Sequence, residues 1–358
     1  MIKEKHFTIP FFITHQGCPH KCIFCNQKEI TSKENVSPES VKKTIEEYLR
    51  TINFKEAHVE VGFFGGSFSG LSLEMQEAYL NPVQEYIDKG FIYGIRISTR
   101  PDFIDNEKLI FLKSKKVVCI ELGVQSAKNN VLELSKRGHT LDQVISAAKM
   151  IKREGFSLGY QMMIGMPGST WEDEVNTAKQ AKELGAEEVR IYPMVVINNT
   201  ELKTMWENGD YVEIETDVAI NRCAKLISFF ETNNIRVIRC GLHPSENLLA
   251  KKNFLAGPFH ESFRSIVESY IFNRMLHKLC SDNEKEIGRI IIRINPKDEA
   301  SFFGYKNENV NFLKKIGKVE KDNNVLRGNI DFIVNGQKKH MTREVLLEGD
   351  IFFNVNNK

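Results

Sequence analysis

The sequence predicts an α/β chain: a partial (β/α)6 TIM-like barrel followed by a small C-terminal α+β appendage. Three observations carry that prediction. Segments of strand and helix character alternate six times across residues 7–232, with short connections, which is the pattern of parallel strands joined by helical crossovers. Distinctive polar and glycine-rich segments follow the strand segments directly, so they would gather on one rim, at the C-terminal strand ends. After about Leu242 the alternation stops. Six units fall short of a closed eight-fold barrel. An open flavodoxin-like sheet would share the alternation, so periodicity alone does not decide closure.

The elements follow in order. Residues 7–14 are apolar, β-branched and aromatic and read as a first strand, in which Pro10 demands an edge or a strand start. Ser37 and Pro38 open a helix running to about Asn53. Residues 57–64 alternate as a second strand and feed Gly65-Gly66-Ser67-Phe68-Ser69-Gly70, with a helix over about 72–89. A third strand at 92–98 leads into Arg100-Pro101-Asp102 and a helix over 106–114. Residues 116–123 form a fourth, largely apolar strand, Gln125 follows it, and helical segments lie near 130–135 and 141–154. The fifth strand, 158–164, ends in Gly165-Met166-Pro167-Gly168, and Thr170 to Asp173 open the next helix in the manner of a capping box. A sixth strand at 188–193, a helix over 216–232 and a short strand at 236–239 complete the pattern. Beyond it come turn-rich segments, a helix over 264–280, strands at 288–294 and 329–334, and short helices between them.

The chain of 358 residues is long enough for one large domain and a small one. The expected division is a barrel over 1–242, a lid and connecting helix over 243–283, and a small α+β domain over 284–358. No apolar run approaches a membrane span, and Pro10 and His15 interrupt the only apolar stretch near the start, so a cytoplasmic protein with no membrane partner is expected. A formal net charge of +2 is no electrostatic footprint of a dedicated nucleic-acid binder. Seven cysteines in such a chain argue for metal binding over disulfides. Cys119, Cys223, Cys240 and Cys280 are scattered and read as small core residues.

Cys18, Cys22 and Cys25 are different, because they fall within eight residues directly after the first strand. A closed zinc site would want four ligands, and only His20 lies between them. An iron–sulfur cluster held by three cysteines would keep one iron open, and an open metal position is where chemistry occurs. A zinc knuckle is the structural alternative.

Cys-x3-Cys-x2-Cys with an aromatic residue, here Phe24, before the last cysteine resembles the signature of radical S-adenosylmethionine (SAM) enzymes. The resemblance implies a barrel of the radical SAM type. It also implies that Cys18, Cys22 and Cys25 hold a 4Fe–4S cluster, that SAM chelates the open iron, and that one electron then cleaves SAM to methionine and a 5′-deoxyadenosyl radical. A one-electron donor such as flavodoxin or ferredoxin would be the partner. Within the superfamily the chain looks like the Elongator catalytic subunit over roughly residues 7–241. Gly65-Gly66-Ser67-Phe68 is similar to that family's Gly-Gly-Thr-Phe, which implies backbone contact with SAM's amino group. Ser98-Thr99-Arg100-Pro101-Asp102 parallels Glu-Thr-Arg-Pro-Asp, with Ser98 in place of the acid. Glu121 to Ser126 and Arg137 to Thr140 also match, implying a ribose contact from Gln125 and a SAM-carboxylate partner in Arg137. Gln161 stands where oxygen-independent coproporphyrinogen oxidases carry an aspartate, and is a further candidate SAM contact. Residues 190–193 and 201–211 echo the Elongator sixth-strand region.

The Elongator resemblance makes tRNA a possible substrate. The segment after the barrel shows no glycine-rich pyrophosphate cradle, so an acetyltransferase activity is not expected of this chain. The same radical chemistry on a small metabolite, and a non-catalytic iron–sulfur or zinc protein, are the alternatives. Cys240 to His243 and His260 could form a lid over the mouth, and Lys314-Lys315 and Lys338-Lys339-His340 read as solvated surface.

Overall fold

The computed structural model describes residues 5–19, 22–27, 30, 36–53, 57–249 and 253–352. The chain forms two compact units: 1–213 with 242–257, and 214–241 with 258–358. The units therefore do not follow chain-order boundaries at 242 and 283. The physical reason lies in the helix Thr216–Thr232, whose apolar residues Ala219, Cys223, Leu226, Ile227 and Phe230 are buried and which packs on the helix Phe263–Asp282 of the same unit.

In the first unit six strands, β1 (Lys5–Phe12), β2 (Ala57–Phe64), β3 (Gly94–Thr99), β4 (Val117–Gln125), β5 (Ser157–Ile164) and β6 (Glu188–Pro193), lie side by side in chain order. Each neighbouring pair among them is parallel. A doubly wound sheet would reverse its order at a switch point. This one does not, and the fold is the expected partial barrel. Pro10 sits within β1, opposite Gly62, on the strand that ends the order, where a missing N–H costs no inner ladder bond.

Helices α1 (Ser40–Leu49), α2 (Leu73–Asp88), α3 (Asn106–Ser114), α4 (Asn129–Leu134), α5 (Leu141–Arg153) and α6 (Trp171–Glu183) fill the crossovers. Four of these starts are fixed by side-chain caps. Ser72 caps α2 and Asp105 caps α3, while Thr140 with Gln143 and Thr170 with Asp173 form reciprocal capping boxes on α5 and α6.

The two faces of the sheet differ in chemistry. One row along the strands is Ile9, Val61, Ile97, Ile120, Leu158 and Val189, all buried. The opposite row carries Glu60, Arg96, Ser98, Glu121, Gln161, Glu188 and Arg190, and the register puts Ser98 beside Glu121 and Gln161 beside Arg190. A parallel strand buried between helices is apolar on both faces. A charged inner wall therefore marks the concave side, and the rim at its C-terminal end is the place to look for a site.

The second unit holds a four-stranded sheet in the order Gly317–Lys321, Ile290–Ile294, Ile330–Val334, Gln337–Met341. Two of these strands were not expected from sequence. Both are flanking strands rich in lysine, a composition that suits exposed edges and hides strand periodicity. No helix among the described residues is long and apolar enough to cross a membrane.

Candidate functional site

The cysteine loop begins where β1 ends. Its backbone is stitched to the glycine loop that leaves β2: Ile13 N–H donates to Phe64 O at 2.8 Å, His15 N–H to Gly65 O at 3.0 Å and Ser67 N–H to Gln16 O at 2.9 Å. Two glycines make this approach possible. A Cβ on Gly66 would overlap the carbonyl oxygens of Gln16 and Ile13, and one on Gly17 would overlap that of Ser67. The glycine pair thus shapes the cysteine loop as well as its own turn.

The far side of the loop is clamped from two directions. Ile23 N–H donates to Ser135 O at 3.3 Å, at the end of α4, and Leu202 N–H donates to Ile23 O at 2.8 Å. Ile23 and Leu202 share a buried apolar cluster with Val131, Met166, Met194 and Tyr211, against which Phe24 packs. The aromatic residue of the motif is therefore an anchor for the loop. The helix Glu201–Glu207 that supplies Leu202 also pairs Glu201 with Lys136 at 2.6 Å. Gln27 N–H donates to His15 Nε2 at 2.9 Å and closes the loop's end.

The three thiols lie close enough to influence one another. Burial, then the neighbouring Cys22 and Cys18, push the Cys25 thiol up to about 12. Cys22 is buried and Cys18 exposed. His20 lies outside the described residues. Among the described residues no group of three or more His, Cys, Asp or Glu is arranged to hold a single metal ion. A polynuclear cluster makes a different demand, since each thiolate binds its own iron at a separate corner.

Arg137 reaches this loop from beyond α4. It is buried, its Nη1 donates to Cys22 Sγ at 3.1 Å, its Nη2 donates to Gly123 O, and its Nε has no partner among the described residues. Gln125 ends β4 at a register shift, with φ +74° and a buried Oε1 that has no partner among the described residues. A left-handed backbone at a residue other than glycine is strained, and such strain gathers at ligand sites. An unsatisfied buried amide oxygen beside an unsatisfied buried guanidinium N–H is costly in an empty protein. These orphans, next to the three thiols, fit a polar organic cofactor and a metal cluster.

The remaining predicted positions fall on the same unit. Gly65 takes φ +85°. Ser67 is fully buried, with its hydroxyl 2.9 Å from Thr99 Oγ1 and accepting from the Arg100 N–H at 3.2 Å, so its side chain is committed to protein. Ser98 Oγ accepts from Gln161 Nε2 at 3.0 Å, and the same amide donates to Glu121 Oε2 at 3.0 Å.

That last contact leads to a feature the sequence reading missed. Glu121 is fully buried and forked by Arg190, with Nη2 to Oε1 at 2.9 Å. Arg96 bridges Glu121 at 3.0 Å, Glu188 at 2.8 Å and Glu60 at 2.6 Å. Burial alone would raise the Glu121 carboxyl, but Arg190 and Arg96 hold it down to about 2. Arg190 also lies over the Phe64 ring, 5.0 Å from its centre. His139 was likewise missed as an individual residue; burial, then Arg137 and Arg100, push it down to about 3, so it is a neutral imidazole.

Comparison with known proteins bears on the family and the fold. The Radical SAM superfamily model matches residues 12–181 and the Radical_SAM C-terminal domain model matches residues 186–273. An uncharacterized protein of Methanocaldococcus jannaschii is 31% identical over 233 residues, covering 61% of this chain and 70% of its own length. A tRNA uridine(34) acetyltransferase of the same organism is 28% identical over 245 residues, and the chain covers only 45% of it. Among solved structures, Methanocaldococcus infernus Elp3 with an N-terminal deletion superposes with a TM-score of 0.60 at 22% identity, covering 76% of this chain and 64% of that one. The chain belongs to the radical SAM superfamily, whose enzymes work with a 4Fe–4S cluster and S-adenosylmethionine.

Proposed function

We propose that this chain is a radical SAM enzyme acting on a tRNA or related nucleotide, with Cys18, Cys22 and Cys25 holding the cluster and Gly65, Gly66, Ser67, Ser98, Gln125, Arg137 and Gln161 forming the SAM surface. When bound, the cluster and SAM supply a 5′-deoxyadenosyl radical on one-electron reduction. The observation that carries the reading is the convergence of three thiols, the buried Gln125 amide oxygen and the buried Arg137 guanidinium at one end of a parallel sheet. The low-potential electron comes from a donor of the flavodoxin or ferredoxin class, in the cytoplasm.

Each residue has a mechanical task. Gly66 and Gly17 let the two loops touch, so that the cysteine loop is held at a fixed height above β2. Gln125 Oε1 accepts from a ligand hydroxyl, which relieves its desolvation. Replacing Gln125 with alanine is expected to weaken SAM binding by roughly tenfold, about 1.4 kcal/mol, with cluster content unchanged. Isothermal titration of the reconstituted protein measures this, and an unchanged affinity would remove Gln125 from the site. Ser98 and Gln161, tied to Glu121, present fixed polar groups instead of mobile ones. The neutral His139 adds polarity beside Arg137 without adding charge.

The tRNA assignment follows the named relatives and is tested separately. Filter binding with unfractionated tRNA at increasing salt should show binding that weakens as salt rises. Incubation with SAM and reductant should then yield a new modified nucleoside by mass spectrometry of the digested RNA. Absence of salt-dependent RNA binding would move the substrate to a small metabolite.

A further inference from the structure

Arg137 touches the cluster loop in a way its proposed role toward SAM does not require. Of the guanidinium's three nitrogens, Nη1 lies 3.1 Å from Cys22 Sγ and donates to it, and Nη2 is held by the Gly123 carbonyl. Among the described residues only Nε is left without a partner. The side chain is buried, so its charge is poorly screened by water. Its position is set by local backbone: Arg137 N–H donates to Leu132 O at 2.9 Å, and the flanking Lys136 and Gly138 both have positive φ. The same loop accepts the Ile23 N–H through Ser135 O. Guanidinium and cysteine loop are therefore fixed to one piece of backbone.

We infer that Arg137 is a positioning residue that sets the reduction potential of the site by donating a hydrogen bond to the Cys22 sulfur. The inference rests on the cysteine trio holding an iron–sulfur cluster. Reduction adds one electron, from a low-potential one-electron donor, to a cluster held by thiolates, and no bond is made or broken. The added negative charge spreads onto the sulfurs. A buried cation donating to one of those sulfurs stabilises the reduced form more than the oxidised form, which raises the potential. The Gly123 carbonyl holds the guanidinium in place. This eases delivery of the electron by the donor and makes the reduced site a milder reductant.

The test uses the reconstituted full chain without SAM, titrated electrochemically under anaerobic conditions and read by electron paramagnetic resonance. Arg137→Met should lower the equilibrium constant for reduction at least tenfold, a shift of about 59 mV to more negative potential for a one-electron couple. Arg137→Lys, which keeps the charge but not the planar fork, should fall between. A second measurement needs no variant. In wild type grown with ¹⁵N-arginine, pulsed double resonance on the reduced cluster should detect a coupled guanidinium nitrogen and an exchangeable proton. An intact cluster in Arg137→Met with unchanged potential, or no ¹⁵N coupling in wild type, overturns the inference. Weaker SAM affinity in Arg137→Met with unchanged SAM-free potential also overturns it, in favour of a role confined to the SAM carboxylate. A wild type that assembles no cluster at all would instead remove the site assignment on which the inference rests.

Discussion

Cys22→Ala is expected to yield a folded protein that contains no 4Fe–4S cluster after anaerobic reconstitution. Cys22 is the buried member of the trio and the one that receives the Arg137 hydrogen bond. Its loss leaves two thiols, too few to hold a cubane whose fourth corner belongs to SAM. The fold should survive, because the loop is anchored independently by Ile23, Phe24 and the backbone bonds to Ser135 and Leu202. Iron and sulfide analysis, together with the absorption near 400 nm expected of 4Fe–4S proteins, checks this. A variant with full iron content and an unaltered spectrum would place the cluster elsewhere.

The second large effect concerns the charged inner wall. Removing the Glu121 carboxylate, as in Glu121→Gln, leaves Arg190 and Arg96 buried without a central partner, a loss on the order of 3–5 kcal/mol. The cost has a definite pH dependence. The carboxyl is held down to about 2 in the fold, below an unfolded value of about 4.3. The folded state therefore binds this proton less readily than the unfolded state. The stabilisation is fully present above the unfolded value and is lost as pH falls towards the folded value. The stability gap between wild type and Glu121→Gln should thus be widest at neutral pH and narrow from about pH 5 downward. Urea denaturation midpoints across that range measure the gap, and a gap independent of pH would mean that the network is not holding Glu121 ionised.

The sequence exposed the strands and the cysteine loop far better than the wall between them. Strand–helix alternation depends on local periodicity, and residues such as Val61, Ile97 and Leu158 announce a buried face within a few positions. Cys18, Cys22 and Cys25 lie within one short loop, so their spacing alone carries their meaning. Glu60, Arg96, Glu121, Glu188 and Arg190 are scattered over four strands, and each looks like the ordinary polar half of an alternating strand. Only sheet register brings Arg96 within 2.8 Å of Glu188, ninety-two positions along the chain. The role of Phe24 was hidden for the same reason, since Leu202 and Met194 reach it through the fold. The grouping of 214–241 with the C-terminal residues likewise depends on which helix a helix packs against, which periodicity does not encode. Gln125 and Arg137 were found through family resemblance, and their unsatisfied atoms supply a physical reason for a ligand there.

The central claim is that the cysteine trio supports reductive cleavage of SAM. Its most direct test is the anaerobic wild-type protein, reconstituted with iron and sulfide, reduced with dithionite, supplied with SAM and analysed by chromatography. Time-dependent 5′-deoxyadenosine, formed with an equal amount of methionine and absent from Cys22→Ala, is the predicted result. An intact, reducible cluster that neither consumes SAM nor changes its paramagnetic spectrum when SAM is added would contradict it.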